Sequence, residues 1–247
     1  ANAYDEAAVK AVYAAKGRPS DNPMIVHIAE LSALPELVTA IPENAKILAE
    51  AFWPGPLTMV LPRSSKIPLT TTGGLETVAI RMPSHPVARA VIRAAGVPLA
   101  APSANRSGSP SPTTFRHCVD DLWGLVDAIV ESDDCTVGVE STVLCFLPDG
   151  TPQVLRPGAV TPEEIQRRCG CVSVAEAVLH MLPQDAAAPS PGMKYKHYAP
   201  AATLTLLCGS REDYAARVNE YYETLQRAGE EDGFYACLLY TSPSPRD

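Results

Sequence analysis

Apolar and polar positions change period repeatedly along this chain, and the changes mark alternating helices and strands. Residues 6–16 carry Ala7, Ala8, Val9, Ala11, Val12, Ala14 and Ala15 behind Asp5 and ahead of Gly17, a helix with an aspartate cap and a glycine stop. "PMIVHI" (23–28) then reads as a strand, "AKILAEAF" (45–52) as a helix, "PLTMVL" (56–61) and "TVAIRM" (77–82) as strands. "PVARAVIRAAG" (86–96) predicts a helix ended by its glycine, and "VPLAA" (97–101) a buried strand.

After the loop "PSANRSGSPSP" a helix starts near Thr113, and the strand-like runs "VDAIVES", "STVLCFL" and "PQVLRPG" follow, the last two joined by the turn "PDGT". Thr161 with Glu164, and Pro162 between them, forms a capping-box start for "PEEIQRRCG". Hairpins mixed with crossover units predict an α/β fold with a sheet of mixed parallel and antiparallel direction and flanking helices. "LPQDAAAPSPGMKYKHYAP" (182–200) shifts to Pro, Ala and Ser and then to bases and tyrosines, as a linker does. "ATLTLLCG" and "REDYAARVNEYYETLQRAG" then read as one strand and one helix of a second α/β domain. The predicted division is a first domain over 1–182, a linker over 183–200, a partial small domain over 201–237 and a tail over 238–247 that fits no element and resembles non-native sequence.

Composition narrows the function classes. The chain has 247 residues, 46% hydrophobic and 19% charged, which suits a globular protein with a large core and is far from disorder. No apolar run is long enough to span a membrane and the N-terminal residues show no signal-peptide pattern, so a soluble, cytoplasmic protein is expected. The net charge of −8 argues against a broad basic face for DNA or RNA. Seven cysteines, odd in number and without a CxxC, together with five histidines in no ligand-like spacing, favour reduced, mostly buried thiols over a metal centre. The lone CxC of Cys169 and Cys171 is the weak exception.

Neither GxxxxGK[ST] nor GxGxxG is present, so a nucleotide site would have to be built differently. "KGRPSDNPMIVHI" holds Lys16 and Arg18 close together at a helix C-terminus, where either a solvated cap or an anion site is possible. "APSANRSGSPSPT" runs from a strand through hydroxyls, an amide and glycine into a helix start, which suits a phosphate or ribose as well as a surface loop. Arg81 lies in an apolar strand and calls for either a buried ion pair or a ligand, and Arg156 shares the ambiguity.

Seven ordered motifs, "KGRPSDNPMIVHI", "WPGPLTMVL", "VAIRMPSHP", "PLAAPSANRSGSPSPT", "ESTV", "LRPGAV" and "PGMKYKHYAP", resemble those of the YrdC-like threonylcarbamoyl-AMP synthase family in its long two-domain form. The resemblance covers about residues 2–200 and implies a twisted mixed sheet around a deep, positively lined cavity. It also implies a nucleotidyltransferase that joins L-threonine, bicarbonate and ATP, with Mg²⁺, into threonylcarbamoyl-AMP and pyrophosphate, and a downstream tRNA threonylcarbamoyl transferase complex as recipient. By the resemblance Lys16, Arg18, Ser103 and Asn105 are catalytic and line the ATP site, joined there by Asn22, Thr77, Ser111, Arg156, His197 and Tyr198. His27, Arg81, Ser141 and, through its backbone, Ala101 would hold threonine; no protein metal site is implied.

Members of that family begin earlier, with a strand and a "TETVYGLG"-like turn, so the resemblance implies a chain shortened at both ends, with one sheet position vacant and little activity of its own. Two other readings remain: a non-catalytic nucleotide- or RNA-binding module, and the carbamoyl-transfer domain of a hydrogenase-maturation factor. The acidic balance weighs against the first and the lack of paired zinc-type cysteines against the second.

Overall fold

The structure, a computed structural model, describes residues 1–179 and 210–229, and the chain divides into two compact units, Ala1–Pro200 and Ala201–Asp247. The first unit opens with α1 (Glu6–Lys16), capped by the Asp5 carboxylate on the N–H groups of Ala7 and Ala8 and closed by Gly17 at φ 61°. Its inward positions are Val9, Tyr13 and Lys16, a spacing of four and three that places Lys16 on the same buried face as two core residues. β1 (Ile25–His27) follows, then a short 3-10 turn, α2 (Leu34–Leu37), α3 (Glu43–Phe52), β2 (Leu57–Pro62), β3 (Thr77–Arg81), α4 (Pro86–Ala95) and β4 (Leu99–Ala101). After α5 (Phe115–Leu122) come β5 (Thr142–Phe146), β6 (Pro152–Arg156), α6 (Pro162–Cys169), β7 (Ser173–Val174) and α7 (Glu176–Leu179).

The described strands form one sheet in the order β4-β1-β3-β2-β5-β6-β7. β1/β3, β2/β5 and β6/β7 run parallel, while β1/β4, β2/β3 and β5/β6 run antiparallel, which is the mixed direction expected from hairpins combined with crossovers. The two faces differ. Val26, Met59, Leu61, Val78, Ile80, Leu144 and Val154 point into the main core with Val9 and Tyr13 of α1, Leu48 of α3 and Ile165 of α6. The opposite face carries only a small apolar cluster, Val60, Ala79, Val143 and Leu155 with Ile25 beside it. The period of two along each strand therefore gives one face to packing and leaves the other for chemistry.

Three expectations change. "VDAIVES" (126–132) forms no strand, and Trp123 (77% exposed), Val126 and Val130 face outward, because the segment pairs with no neighbouring strand and an unpaired strand has no ladder to hold it. β4, expected to be buried, is half-buried and stands at the end of the strand order, where Ala100 N–H donates to the Ala1 carbonyl at 2.8 Å and Asn2 bridges Leu99. Cys118, Cys145, Cys169 and Cys171 are half-buried and Cys135 is exposed, so the expected burial of thiols fails for the described cysteines. In the second unit α8 (Arg211–Ala228) starts with a Ser210–Asp213 capping box and ends at Gly229. The strand expected at "ATLTLLCG" and the linker residues His197 and Tyr198 lie outside the described residues.

Candidate functional site

Lys16 is aimed inward by the register of α1 and is 6% exposed. Its ammonium donates to the backbone carbonyls of Ser103 and Asn105 in close contacts and to Asn105 Oδ1 at 3.3 Å. Asn105 is itself buried and donates its amide to the carbonyls of Arg106 (2.9 Å) and Ser109 (2.8 Å). The two sequence motifs are thus a single unit: the lysine folds the Ser103–Ser109 loop around its charge. Burial, followed by the charge of Arg18, lowers the Lys16 pKa to about 8, against the opposing charges of Asp121 and Glu140.

Arg18 turns the other way, donating through Nε to the Asn22 carbonyl (3.1 Å) and through Nη2 to Asn22 Oδ1 (2.7 Å) and the Pro23 carbonyl (2.9 Å). Asn22 is buried, and its carbonyl also accepts from the Tyr13 hydroxyl at 3.1 Å. Extending the parallel register of β1 and β3 by two residues sets Pro23 level with Thr77, so Thr77 belongs to this end of the sheet, about 13 Å along β3 from Arg81. Ala101 ends β4 opposite Ile25, and Ser103 follows it into the loop.

A second group gathers at the other end of the same face. His27 pairs with Arg81 in register, and Arg81 pairs with Thr58 across β2 and β3. Thr58 Oγ1 and Ser141 Oγ, both buried, are hydrogen-bonded at 2.9 Å. Arg156 Nη2 donates to the Ser141 carbonyl (2.7 Å) and to its Oγ (3.1 Å). A register shift between β5 and β6 at Val143/Leu144 sets Arg156 opposite Val143, and such a bulge turns a side chain toward the face it would otherwise avoid. Ser111 Oγ donates to Glu140 Oε1 in a close contact, and Glu140 Oε2 lies 3.8 Å from Arg156.

Arg81 donates Nε–H to the Gly55 carbonyl at 3.0 Å, and among the described residues it forms no ion pair. Nδ1 of His27 is buried with no hydrogen-bond partner among the described residues. Burial and then the Arg81 charge lower the His27 pKa to about 4, so the ring is neutral at pH 7.

The predicted residues therefore fall into groups: Lys16 with Ser103 and Asn105, Arg18 with Asn22, Thr77 and Ala101 on β3 and β4, and His27 and Arg81 in register beside Thr58, to which Ser141, Arg156 and, through Glu140, Ser111 are joined. Sequence reasoning passed over Thr58, Glu140, Asp121 and Gly158. Only the "ESTV" motif signalled Glu140, and nothing in the sequence signals that a Cβ on Gly158 would stand 2.3 Å from the Glu140 carbonyl oxygen. Two surface hollows, about 220 Å³ beside Phe52, Glu164, Arg167 and Arg168 and about 270 Å³ beside Tyr4, Glu36 and Lys66, contain none of these residues. Among the described residues no group of three or more His, Cys, Asp or Glu could hold a metal ion, and no helix is long and apolar enough to cross a membrane.

The chain is similar to known proteins over most of its length. A family model described as "Telomere recombination" matches residues 1–158, and one described as "Threonylcarbamoyl-AMP synthase, C-terminal domain" matches 160–244. A threonylcarbamoyl-AMP synthase of Pyrococcus abyssi is 45% identical over 97% of this chain and 70% of its own length. One of Bacillus subtilis is 49% identical over 93% of this chain and 65% of its own. The chain thus spans about two thirds of the length of these relatives. The crystal structure of P. abyssi Sua5 complexed with L-threonine superposes with a TM-score of 0.87 at 45% identity, covering 93% of this chain and 66% of that one. A second structure of that protein carries alanine in place of an adjacent histidine and tyrosine. Full-length HypF in a phosphate- and nucleotide-bound form shares the fold alone, at 17% identity and a TM-score of 0.56. With one family model over more than half its length and a second over residues 160–244, this chain belongs to the YrdC-like threonylcarbamoyl-AMP synthase family in its two-domain form.

Proposed function

We propose that the protein is an L-threonylcarbamoyladenylate synthase, a nucleotidyltransferase that converts L-threonine, bicarbonate and ATP into threonylcarbamoyl-AMP, pyrophosphate and water. The observation that carries this reading is the pairing of a buried lysine with the Ser103–Asn105 loop, together with Arg81 and neutral His27 side by side in the sheet. A distance of about 13 Å along a strand suits a nucleotide laid beside an amino acid.

In this reading Lys16 and Arg18 meet the triphosphate, with Asn22, Thr77, Ser103, Asn105, Ser111 and Arg156 completing the ATP site. Arg81 takes the threonine carboxylate in a bidentate pair, since a guanidinium with one N–H committed retains four donors. Neutral His27, Ser141 and the Ala101 backbone fix the rest of the amino acid. The amine and bicarbonate give a carbamate with loss of water; a carbamate oxygen forms the new bond to the α-phosphorus, and the bond to the β-phosphate bridging oxygen breaks to release pyrophosphate. The protein contributes positioning and positive charge where negative charge gathers. Magnesium would be supplied as the complex with ATP, held by phosphate oxygens and water, and would neutralise phosphate charge. His197 and Tyr198, the one His–Tyr pair of the sequence, are assigned to ATP binding; support comes from the relative whose adjacent His and Tyr were replaced together. The product passes, in the cytoplasm, to a transferase complex that modifies tRNA.

Pyrophosphate release from ATP, with threonine and bicarbonate omitted in turn, tests the reading. Release should require both; ATP breakdown that ignores either one overturns it. Arg81→Ala should raise the threonine requirement at least about tenfold while changing ATP affinity far less, because one charge-assisted bidentate pair is lost. Loss of ATP affinity with an unchanged threonine requirement would assign Arg81 to the nucleotide instead.

A further inference from the structure

Three of the site's cations surround one carboxylate, Glu140, whose charge acts on Lys16 and Arg81 and which lies 3.8 Å from Arg156, and an amino acid arrives as a zwitterion. Its carboxylate finds guanidinium; its ammonium, brought among like charges, needs a carboxylate of its own. Glu140 is placed for that. It leads directly into Ser141, whose hydroxyl bonds Thr58, the cross-strand partner of Arg81. Its own carboxylate accepts from Ser111 and lies 3.8 Å from Arg156, which also donates to Ser141. The carboxylate thus stands between the residues assigned to threonine and two of those assigned to ATP, where the reacting amine must point.

We propose that Glu140 receives the α-ammonium group of the amino-acid substrate and turns it toward the nucleotide, making the site specific for an α-amino acid. The proposal rests on the threonine reading above and adds a residue to it. A carboxylate has about four acceptor positions, of which Ser111 takes one, and the Glu140 side chain is 29% exposed, so an ammonium can reach it. The charge of Glu140 also acts on both Lys16 and Arg81, favouring their protonated forms. Neither Arg81 nor Ser141 could supply this function, because a guanidinium repels an ammonium and a hydroxyl carries no charge to offset one.

The test is calorimetric titration of the wild-type chain and Glu140→Gln with L-threonine, with 3-hydroxybutyrate, which is threonine without its amine, and with ATP. Glutamine keeps an acceptor for Ser111 and the size of the side chain while removing the charge. Threonine affinity should fall at least about tenfold, while 3-hydroxybutyrate and ATP change less than about twofold. Equal losses for threonine and 3-hydroxybutyrate would make Glu140 a purely structural residue and overturn the proposal, as would unchanged threonine affinity or a loss confined to ATP. Should 3-hydroxybutyrate bind neither protein, threonine against ATP decides. A wild-type chain that takes up no threonine overturns the proposed function and this inference with it; a threonine-binding wild type with an unaltered variant overturns the inference alone.

Discussion

Lys16→Ala is expected to lower threonine-dependent pyrophosphate release by at least about tenfold, and by on the order of 10²–10³ if the ammonium meets charge that develops in the transition state. The substitution removes the buried cation and also the donor that gathers the carbonyls of Ser103 and Asn105, so the loop loses its organising charge together with the site. A pH effect accompanies it. With its pKa lowered to about 8, Lys16 is charged below that pH and neutral above it. In the wild type, kcat/KM for ATP should therefore hold below pH 8 and fall as pH rises through it, since this parameter reports the free enzyme. Bound triphosphate raises the lysine pKa again, so kcat at saturating ATP should fall only at higher pH. The alanine variant should lose that alkaline limb. Wild-type turnover in Lys16→Ala, with circular dichroism showing the same fold, would remove Lys16 from the machinery.

Gly158→Ala is expected to damage both stability and activity. An added Cβ would lie 2.3 Å from the Glu140 carbonyl oxygen, 2.4 Å from the Thr142 nitrogen and 2.6 Å from the Ser141 carbonyl carbon, all of them backbone atoms. Backbone cannot swing aside as a side chain can, so the turn after β6 and the start of β5 must separate. Overpacking of this kind costs about 1–3 kcal/mol, a fall of roughly 2–12 °C in Tm for a chain of this size. The displaced atoms belong to Glu140, Ser141 and Thr142, and Ser141 is what Arg156 grips. Turnover should therefore drop by more than the loss of folded protein explains. Gly138→Ala, two residues before Glu140, provides the control: its Cβ meets nothing within 4 Å. Thermal melts and pyrophosphate release on the pair decide the matter. Equal behaviour of the two variants would show that the approach of the turn to "ESTV" has no consequence.

Much of the local architecture could be read directly from residue order. Asp5 and Gly17 bound α1 as their chemistry requires, Thr161 and Glu164 form the capping box of α6, and the period of two in "PLTMVL" and "TVAIRM" became β2 and β3. Those are interactions among residues a few positions apart, and the sequence contains both partners. "VDAIVES" failed for the complementary reason: a strand is completed by a neighbour, and apolar alternation cannot say whether one arrives.

By itself the sequence determined the alternation of helices and strands, the mixed sheet, and the motifs from which the family could be recognised. The tertiary structure decided what those motifs do to one another. Only the fold puts the Lys16 ammonium against a loop almost ninety residues later, because the two are joined by sheet register rather than by chain proximity. Only the register and the bulge on β6 bring Arg156 to Ser141, and Ser141 to the partner of Arg81. Glu140 acquires its place among three cations for the same reason: electrostatic interaction depends on distance through space, which the order of residues along the chain does not fix.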